Sequence, residues 1–283
     1  PEAPAATPLG SMTCTFAPRC TQAHAIDRPI TPAPITVTSA VAITRPALHK
    51  SAYPIRQSIM TGQSTDPHPL DWRETAHGTV PVSLQFDDPF YSLQGGLAET
   101  RHVFLGGNDL PARFIDGFHI AELGFGTGLN FLTTLQAFRD SGTPGRLQFT
   151  SFEAYPLDPA ALQRALAPFA ADLPVQVLSQ VSDITGPDFD LRVVIGDATT
   201  TLPAWDGRAD AWYLDGFSPA KNPGLWTPQI IAAVAAHTKA GGTAATYSAA
   251  GHVRASLTAA GFDVTRVAGF ATKRHMTIAR KAS

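Results

Sequence analysis

Cysteine is almost absent from this chain. Only Cys14 and Cys20 occur in 283 residues, so nothing downstream of them can form a disulfide or a thiolate metal site. That pattern suits a reducing, cytoplasmic setting. Long apolar runs are also missing. None approaches the roughly 20 residues that a membrane-spanning helix needs, so no membrane partner is expected. Excess charge of either sign is missing too. The net charge is -2, which gives no global attraction to nucleic acid or anionic lipid. Locally the balance is less even. Residues 251–283 hold Arg254, Arg266, Lys273, Arg274, Arg280 and Lys281 against a single acid, Asp263. On charge alone this is either a phosphate-binding face or a solvated one. His77, His102 and His252 show no metal-ligand spacing, and no metal is expected.

Proline is concentrated at one end. Residues 1–69 contain 11 of the 24 prolines and no helical or strand periodicity. Such a segment buries too little apolar surface to offset its ordering entropy and reads as a disordered extension. Its composition superficially resembles a transit peptide. The duller reading is preferred, with Met60, ahead of "TGQSTDPHPLDW", as the start of the functional protein.

Residues 70–118 read as a small accessory region. "TVPVSLQFDDPFYS" alternates like a short hairpin, "GLAETRHVFL" has helical spacing, and "GGNDLPARF" is a turn. Residues 119–283 then alternate strands with helices. The strands are "HIAEL" (119–123), "LQFTSFE" (147–153), "RVVIG" (192–196), "AWYLD" (211–215) and "GTAATYS" (242–248). The helices are "LNFLTTLQAFRD", "DPAALQRALAPF", "TPQIIAAVAAHTKA" and "GHVRASLTAAGF". In the third, Thr227 is the N-cap, Pro228 the first helical residue, and Gly241 and Gly242 lie beyond the end. "DVTRVAGF" and "RHMTIARK" close the chain as two strands with no helix between them. Such alternation implies an α/β fold with a mostly parallel sheet, and the final pair implies an antiparallel edge. This is the layout of a class I S-adenosylmethionine (SAM)-dependent methyltransferase.

A glycine turn, "ELGFGTGLNF", follows the first of these strands. Its spacing, Gly124, Gly126, Gly128, is not the G-x-G-x-x-G of a dinucleotide fold, and no Lys–Ser/Thr pair follows as in a phosphate loop. SAM carries no phosphate and needs a flat turn with an acid before it, which Glu122 supplies. Phe125, Thr127 and Asn130 join the glycines as candidate cofactor contacts. Carboxylates then fall at successive strand ends, where ligands bind in open α/β sheets. Glu153 is placed to accept the ribose hydroxyls, Asp197 to face the adenine amino group, and Asp215 to face the reactive methyl. A purely structural turn is the bland alternative.

"YLDGFSPAKNPGLW" opens at the strand end nearest the methyl. An amine acceptor is largely protonated near neutral pH, so the site must hold its neutral form. Asp215 is placed to orient the amine, stabilise developing charge and take the proton. Phe217 is placed to stack on a nucleobase, although an Asp-Gly turn with an inward aromatic has the same spacing. Lys221 and Asn222 are candidate substrate contacts, and Lys273 and Arg274 candidate phosphate contacts, each balanced by a solvated-side-chain reading. Tyr91, Ser92 and Arg101 lie where the accessory region can close over the acceptor, or are simply structural.

From about Trp72 to Lys281 the chain resembles a known family: the methyltransferase half of the bifunctional enzyme that completes 5-methylaminomethyl-2-thiouridine at the wobble position of bacterial tRNAs, with its stand-alone relatives. "PVSLQFDDPFYS", "GLAETRHVFLGGNDLP", "ELGFGTGLNFL", "SFEAYPL", "WYLDGFSPAKNPGLW", "SAAGHVRASLTAAGF" and "GFATKRHM" carry the resemblance, in order. It implies SAM-dependent methylation of the primary amine of 5-aminomethyl-2-thiouridine, with Asp215 as acid/base. The bifunctional enzyme also has an FAD-dependent oxidase. No second glycine fingerprint occurs here, so no FAD is expected, and a separate enzyme would supply the aminomethyl tRNA. Two other readings stand beside this one: a small-amine or protein N-methyltransferase, and a SAM-fold protein that holds RNA without catalysis.

Overall fold

Alternate residues along the central strands are buried on opposite sides, which is the signature of a sheet covered on both faces. In the computed structural model, residues 68–76 and 78–283 are described, with the backbone of Ile55–Arg56. All lie in the unit Leu48–Ser283. The strands are β1 (Ile55–Arg56), β2 (Leu70–Thr75), β3 (Gly78–Ser83), β4 (Asp88–Pro89), β5 (His119–Leu123), β6 (Leu147–Glu153), β7 (Asp183–Thr185), β8 (Phe189–Ile195), β9 (Ala209–Leu214), β10 (Thr238–Thr246), β11 (Phe262–Ala268) and β12 (His275–Lys281). The helices are α1 (Gly96–Thr100), α2 (Leu129–Asp140), α3 (Pro159–Leu166), α4 (Ala198–Thr201), α5 (Pro228–Ala236) and α6 (Gly251–Ala259).

The main sheet runs β1-β7-β8-β6-β5-β9-β10-β12-β11. From β8 to β10 every pairing is parallel. β12 inserts between β10 and β11, antiparallel to both, so the expected antiparallel element is present at this end of the sheet. This is the class I methyltransferase α/β fold. A separate antiparallel sheet, β2-β3-β4, forms the accessory region.

On one face Ile120, Phe149, Leu191 and Tyr213 pack with Phe131 and Leu135 of α2. On the other, Ala121, Leu123, Trp212 and Leu214 pack with Ile230, Ile231 and Val234 of α5. Helix starts follow capping chemistry. Asp158 accepts from the N–H groups of Ala160 and Ala161, both at 2.9 Å, and Pro159 opens α3. Thr227 and Pro228 open α5 in the same way.

Several boundaries differ from expectation. β5, β6 and α2 match to the residue, whereas α5 ends at Ala236 rather than running to 240. Thr238 Oγ1 donates to the Val234 carbonyl at 2.6 Å and stops the turn, and its β-branched backbone then opens β10. Gly241 and Gly242 therefore lie inside β10, where the register against β9 shifts between Thr238 and Thr243. The helix over "GLAETRHVFL" is present, but Arg101–Leu105 widens into a π-helical turn. β2, β7 and α4 were not anticipated. Most of 1–69, including Cys14, Cys20 and Met60, lies outside the described residues, as does His77. Two parts of that segment depart from the expected lack of structure: β1 pairs with β7, and His68 is buried. No helix among the described residues is long and apolar enough to cross a membrane.

Phe131 is fully buried and meets Phe149 and Phe189 edge-on, each with ring centroids 5.4 Å apart. Phe131→Ala is expected to cost about 3–5 kcal/mol of stability, read from the denaturation midpoint. A cost near zero would show that α2 is not anchored to the sheet in this way.

Candidate active site

The C-terminal ends of β5, β6, β8 and β9 open into a cavity of about 530 Å³, a size suited to a cofactor or small ligand. Gly124, Phe125, Gly126, Thr127, Asn130, Glu153, Asp197, Asp215, Phe217, Asn222 and Lys273 all line it. Eleven residues singled out along the sequence thus converge on one place. Gly128, Glu122, Lys221 and Arg274 do not line it.

The glycine turn is shaped by close approach. At Gly124 (φ 83°) an added Cβ would sit 3.1 Å from Gly216 Cα, so the turn presses directly on the Asp-Gly turn after β9. Gly128 has a different task from the expected ligand contact. With φ 72° it opens α2, and a Cβ there would lie 2.5 Å from Leu178 and 2.8 Å from Phe125.

The carboxylates hold several surprises. Glu122, expected to contact the cofactor, is fully buried behind the turn. Strand alternation explains this. Ala121 and Leu123 face α5, so Glu122 shares the face of Ile120, beneath α2. There Glu122 Oε1 accepts from Asn130 Nδ2 at 2.8 Å, and Oε2 from Ser151 Oγ at 2.8 Å. The same Asn130 nitrogen donates to Asp215 Oδ2 at 2.7 Å, while Asp215 Oδ1 accepts from Gly216 N at 2.8 Å. Thr100 Oγ1 donates to Asn130 Oδ1 at 2.8 Å and so orients the amide. Burial drives the Glu122 carboxyl well above the ordinary carboxylate range, and the negative charge of Asp215 adds to it. Burial likewise raises Asp215 to about 7, against the opposing pull of the Asn130 and Gly216 donors.

Glu153 stands at the end of β6, as expected. Its oxygens accept from Gly126 N at 2.8 Å and Tyr155 N at 2.7 Å, which ties the strand end to the glycine turn, and burial again raises its carboxyl. Asp197 caps α4 through Thr199 N at 2.8 Å and also lines the cavity.

Over the opening lies an aromatic cluster that the sequence reading largely missed. Phe217 stacks on Phe86 with centroids 4.7 Å apart and meets Phe90 edge-on at 5.1 Å. His68 and Tyr155 pack on the same group. The aromatic spacing of "QFDDPFY" was the available signal. Beside the cluster, Asp88 accepts from Ser218 N at 2.7 Å, and Asp87 pairs with Lys221. Lys221 therefore ties the β3–β4 connection to the loop after β9, instead of reaching a ligand. Tyr91 is chiefly structural, its hydroxyl donating to the Ala165 carbonyl at 3.0 Å.

Lys273 turns inward as well. Its Nζ pairs with Glu99 Oε1 at 2.8 Å and lies 4.0 Å from the centre of the Tyr247 ring. Arg274 stays exposed on the turn between β11 and β12. Burial and then the charges of Arg266, Arg274 and Arg254 lower the His275 imidazole.

A polar, cationic nucleoside such as SAM suits this donor set. The turn presents bare backbone, and carboxylates stand at three strand ends. Residues 161–282 match the family described as S-adenosyl-L-methionine-dependent methyltransferase. The chain is 47% identical over 221 residues to the tRNA 5-methylaminomethyl-2-thiouridine biosynthesis bifunctional protein MnmC of Pseudomonas syringae pv. syringae, covering 72% of this chain and 33% of that one. The protein of the same name from Ralstonia nicotianae is 46% identical over 214 residues, covering 71% and 33%. The chain thus spans about a third of the length of these relatives. Among solved structures, MNMC2 from Aquifex aeolicus superposes with a TM-score of 0.62 at 25% identity, covering 77% of this chain and 73% of that one. Spermidine synthase from Thermotoga maritima shares the fold, with a TM-score of 0.52 at 15% identity over 79% of this chain and 72% of that one.

Glu122 offers a stability test. A carboxyl whose folded pKa is raised is favoured protonated, so its contribution is complete below its unfolded value and is lost as pH rises towards the folded one. Glu122→Gln keeps one acceptor for Asn130 and one donor for Ser151. Its melting temperature is expected to exceed that of the wild type by a margin that widens from pH 6 to pH 9. A margin that stays flat from pH 6 to pH 9 would mean that Glu122 is ionised in the fold.

Proposed function

We propose that this chain, whose residues 161–282 are those of a SAM-dependent methyltransferase family, methylates the primary amine of 5-aminomethyl-2-thiouridine at the tRNA wobble position. The observation that carries the reading is Asp215, set at the end of β9 between the glycine turn and the aromatic cluster and titrating near neutrality. The name of the Pseudomonas and Ralstonia relatives, which refers to this nucleoside, supports the choice of substrate.

SAM held at the turn would supply an electrophilic methyl for the amine nitrogen, the methyl–sulfur electron pair remaining with sulfur. The protein's own groups do the rest. Glu153 and Asp197 hold the nucleoside end of the donor, and Gly124 and Gly126 let it approach the backbone. An alkylamine with an ordinary pKa near 10 arrives mostly protonated. Ionised Asp215 takes one proton from the ammonium, which frees the lone pair and orients it at the methyl, and the methylated nitrogen leaves as a secondary ammonium. Phe217, Phe86 and Phe90 form an apolar wall for the base and exclude water, which strengthens the Asp215 interaction. Arg274, exposed on the β11–β12 turn, supplies positive charge for an RNA backbone, and Arg254 and Arg266 add to the positive field acting on His275 there. The reaction takes place in the cytoplasm and draws on aminomethyl tRNA made by a separate enzyme. Flavin has no part in the step.

Incubation with methyl-labelled SAM and tRNA lacking this modification tests the reading. Label is expected in the wobble nucleoside. Label in small amines or protein alone would replace the reading with a different N-methyltransferase, and SAM binding without transfer would replace it with a non-catalytic RNA-binding role. Asp215→Ala is expected to lower transfer by roughly 10²–10⁴-fold while SAM affinity, measured by calorimetry, stays close to wild type. At saturating tRNA the wild-type rate should rise as pH increases through about 7, as Asp215 ionises. A rate that is flat from pH 6 to 8 would remove Asp215 as the base.

A further inference from the structure

Asn130 was expected to contact the cofactor, but its hydrogen bonds point elsewhere. Its two amide hydrogens are divided between two carboxyl groups, Asp215 Oδ2 at 2.7 Å and Glu122 Oε1 at 2.8 Å. Its carbonyl is committed to Thr100 Oγ1 at 2.8 Å. Asn130, Thr100 and Glu122 are each less than a tenth exposed. The chain continues to Ser151, which is fully buried beside Glu122.

This arrangement has one consistent polarity. The Thr100 hydroxyl hydrogen requires the amide oxygen to face α1, which turns the NH₂ group towards the acids. A flipped amide would set the carbonyl against two carboxyl groups, and nothing there would supply both hydrogens. With each N–H taken, the Asp215 carboxyl plane is held at two points, by Asn130 on Oδ2 and by Gly216 N on Oδ1. Two carboxyls joined through one nitrogen resist ionising together. Of the pair, Glu122 is sealed behind the turn and Asp215 reaches the cavity.

We propose that Asn130 is a positioning residue for methyl transfer: held by Thr100 and braced on Glu122, it fixes the direction of the Asp215 carboxylate towards the acceptor and favours its ionised form. Glu122, sealed from water, keeps its own proton. The proposal rests on Asp215 being the base of the reaction described above.

Other charged or titratable groups face Asp215 too. Glu99 of α1 and Lys273 of the β11–β12 turn act on it in opposite senses, and Tyr247 and Asp88 lie on the acceptor side. None of these is altered in the variants used to test the idea.

Asn130→Ala removes the donor to Asp215. Transfer is expected to fall roughly 10²-fold in kcat, as for other losses of alignment, with a smaller change in KM for tRNA. The pH at half-maximal rate should move upward by at least one unit. Thr100→Val, which keeps the shape and loses only the hydroxyl, should move the same limb in the same direction, and Thr100→Ser should restore it. A merely structural residue would lower folded protein or kcat without moving the limb. Calorimetric SAM affinity provides the contrast: Asn130→Ala binding SAM tenfold more weakly with an unmoved pH limb would assign Asn130 to the cofactor and overturn the proposal. A readout independent of the acceptor is the titration of ¹³C-labelled aspartate carboxyls by NMR, with Asp215→Asn identifying the resonance. An upward shift of the Asp215 midpoint in Asn130→Ala supports the inference even if tRNA is not methylated, which would count against the substrate reading alone. An unmoved midpoint overturns the inference whatever the substrate proves to be.

Discussion

Burying negative charge at the carboxyl edge of a parallel sheet is costly, and the architecture of this site follows from how that cost is met. Glu122, Glu153 and Asp215 all lie where water is scarce, and burial raises all three carboxyls. Each is met by donors belonging to elements that must be in place first. Glu153 accepts from the glycine turn, Asp215 from the Asp-Gly turn, and Glu122 from α2 and β6. The carboxyls therefore tie β5, β6, β9 and α2 together around the opening, and the opening exists only when the sheet is assembled. Stability and function draw on the same hydrogen bonds here, as expected of a site whose perturbed groups do the chemistry.

The glycines make these bonds geometrically possible. Gly124 allows the first turn to touch the backbone of Gly216, which brings Asp215 within reach of α2. A side chain at Gly124 would separate the two turns and break the Asn130 bridge before it affected any ligand. Helix α2 starts from a glycine cap with no side-chain acceptor, so its first N–H groups are not satisfied by a capping residue. In most helices a serine or aspartate would fill that place, as Asp158 does for α3.

Much of this was legible in the sequence, for identifiable reasons. β5, β6 and α2 have strong period and sharp punctuation, and their limits were read correctly. Strand-end carboxylates are legible because open α/β sheets bind ligands at one edge, so position along the chain converts directly into place in the site. The direction of a side chain was harder. Glu122 and Asp215 look equivalent as strand-end acids, yet Glu122 lies inside β5 beneath α2, whereas Asp215 lies one residue past β9 and reaches the cavity. α5 was read too long because alanines and a lysine continue its composition past Ala236, while the stop is a Thr238 side-chain bond that no propensity displays. Long-range pairs were invisible for the same reason. Lys221 with Asp87 and Lys273 with Glu99 join residues more than 130 positions apart, so their basic side chains looked free for phosphate.

The accessory region takes on a role that its sequence only hinted at. His68, Phe86 and Phe90 flank or connect the strands of the small antiparallel sheet, yet they complete the aromatic wall around Phe217. Asp88 and Asp87 then hold the loop after β9 from above while Gly124 holds it from below. Asp215 stands at the head of that loop, so its carboxylate is fixed from three directions: the core sheet, α2 and the accessory sheet. Such restraint matters at the edge of a cavity, because a mobile carboxylate would spend its ionised fraction facing water. Restraint and raised pKa have different origins here: burial raises Asp215, while the buried amide of Asn130 fixes the carboxylate and opposes that rise.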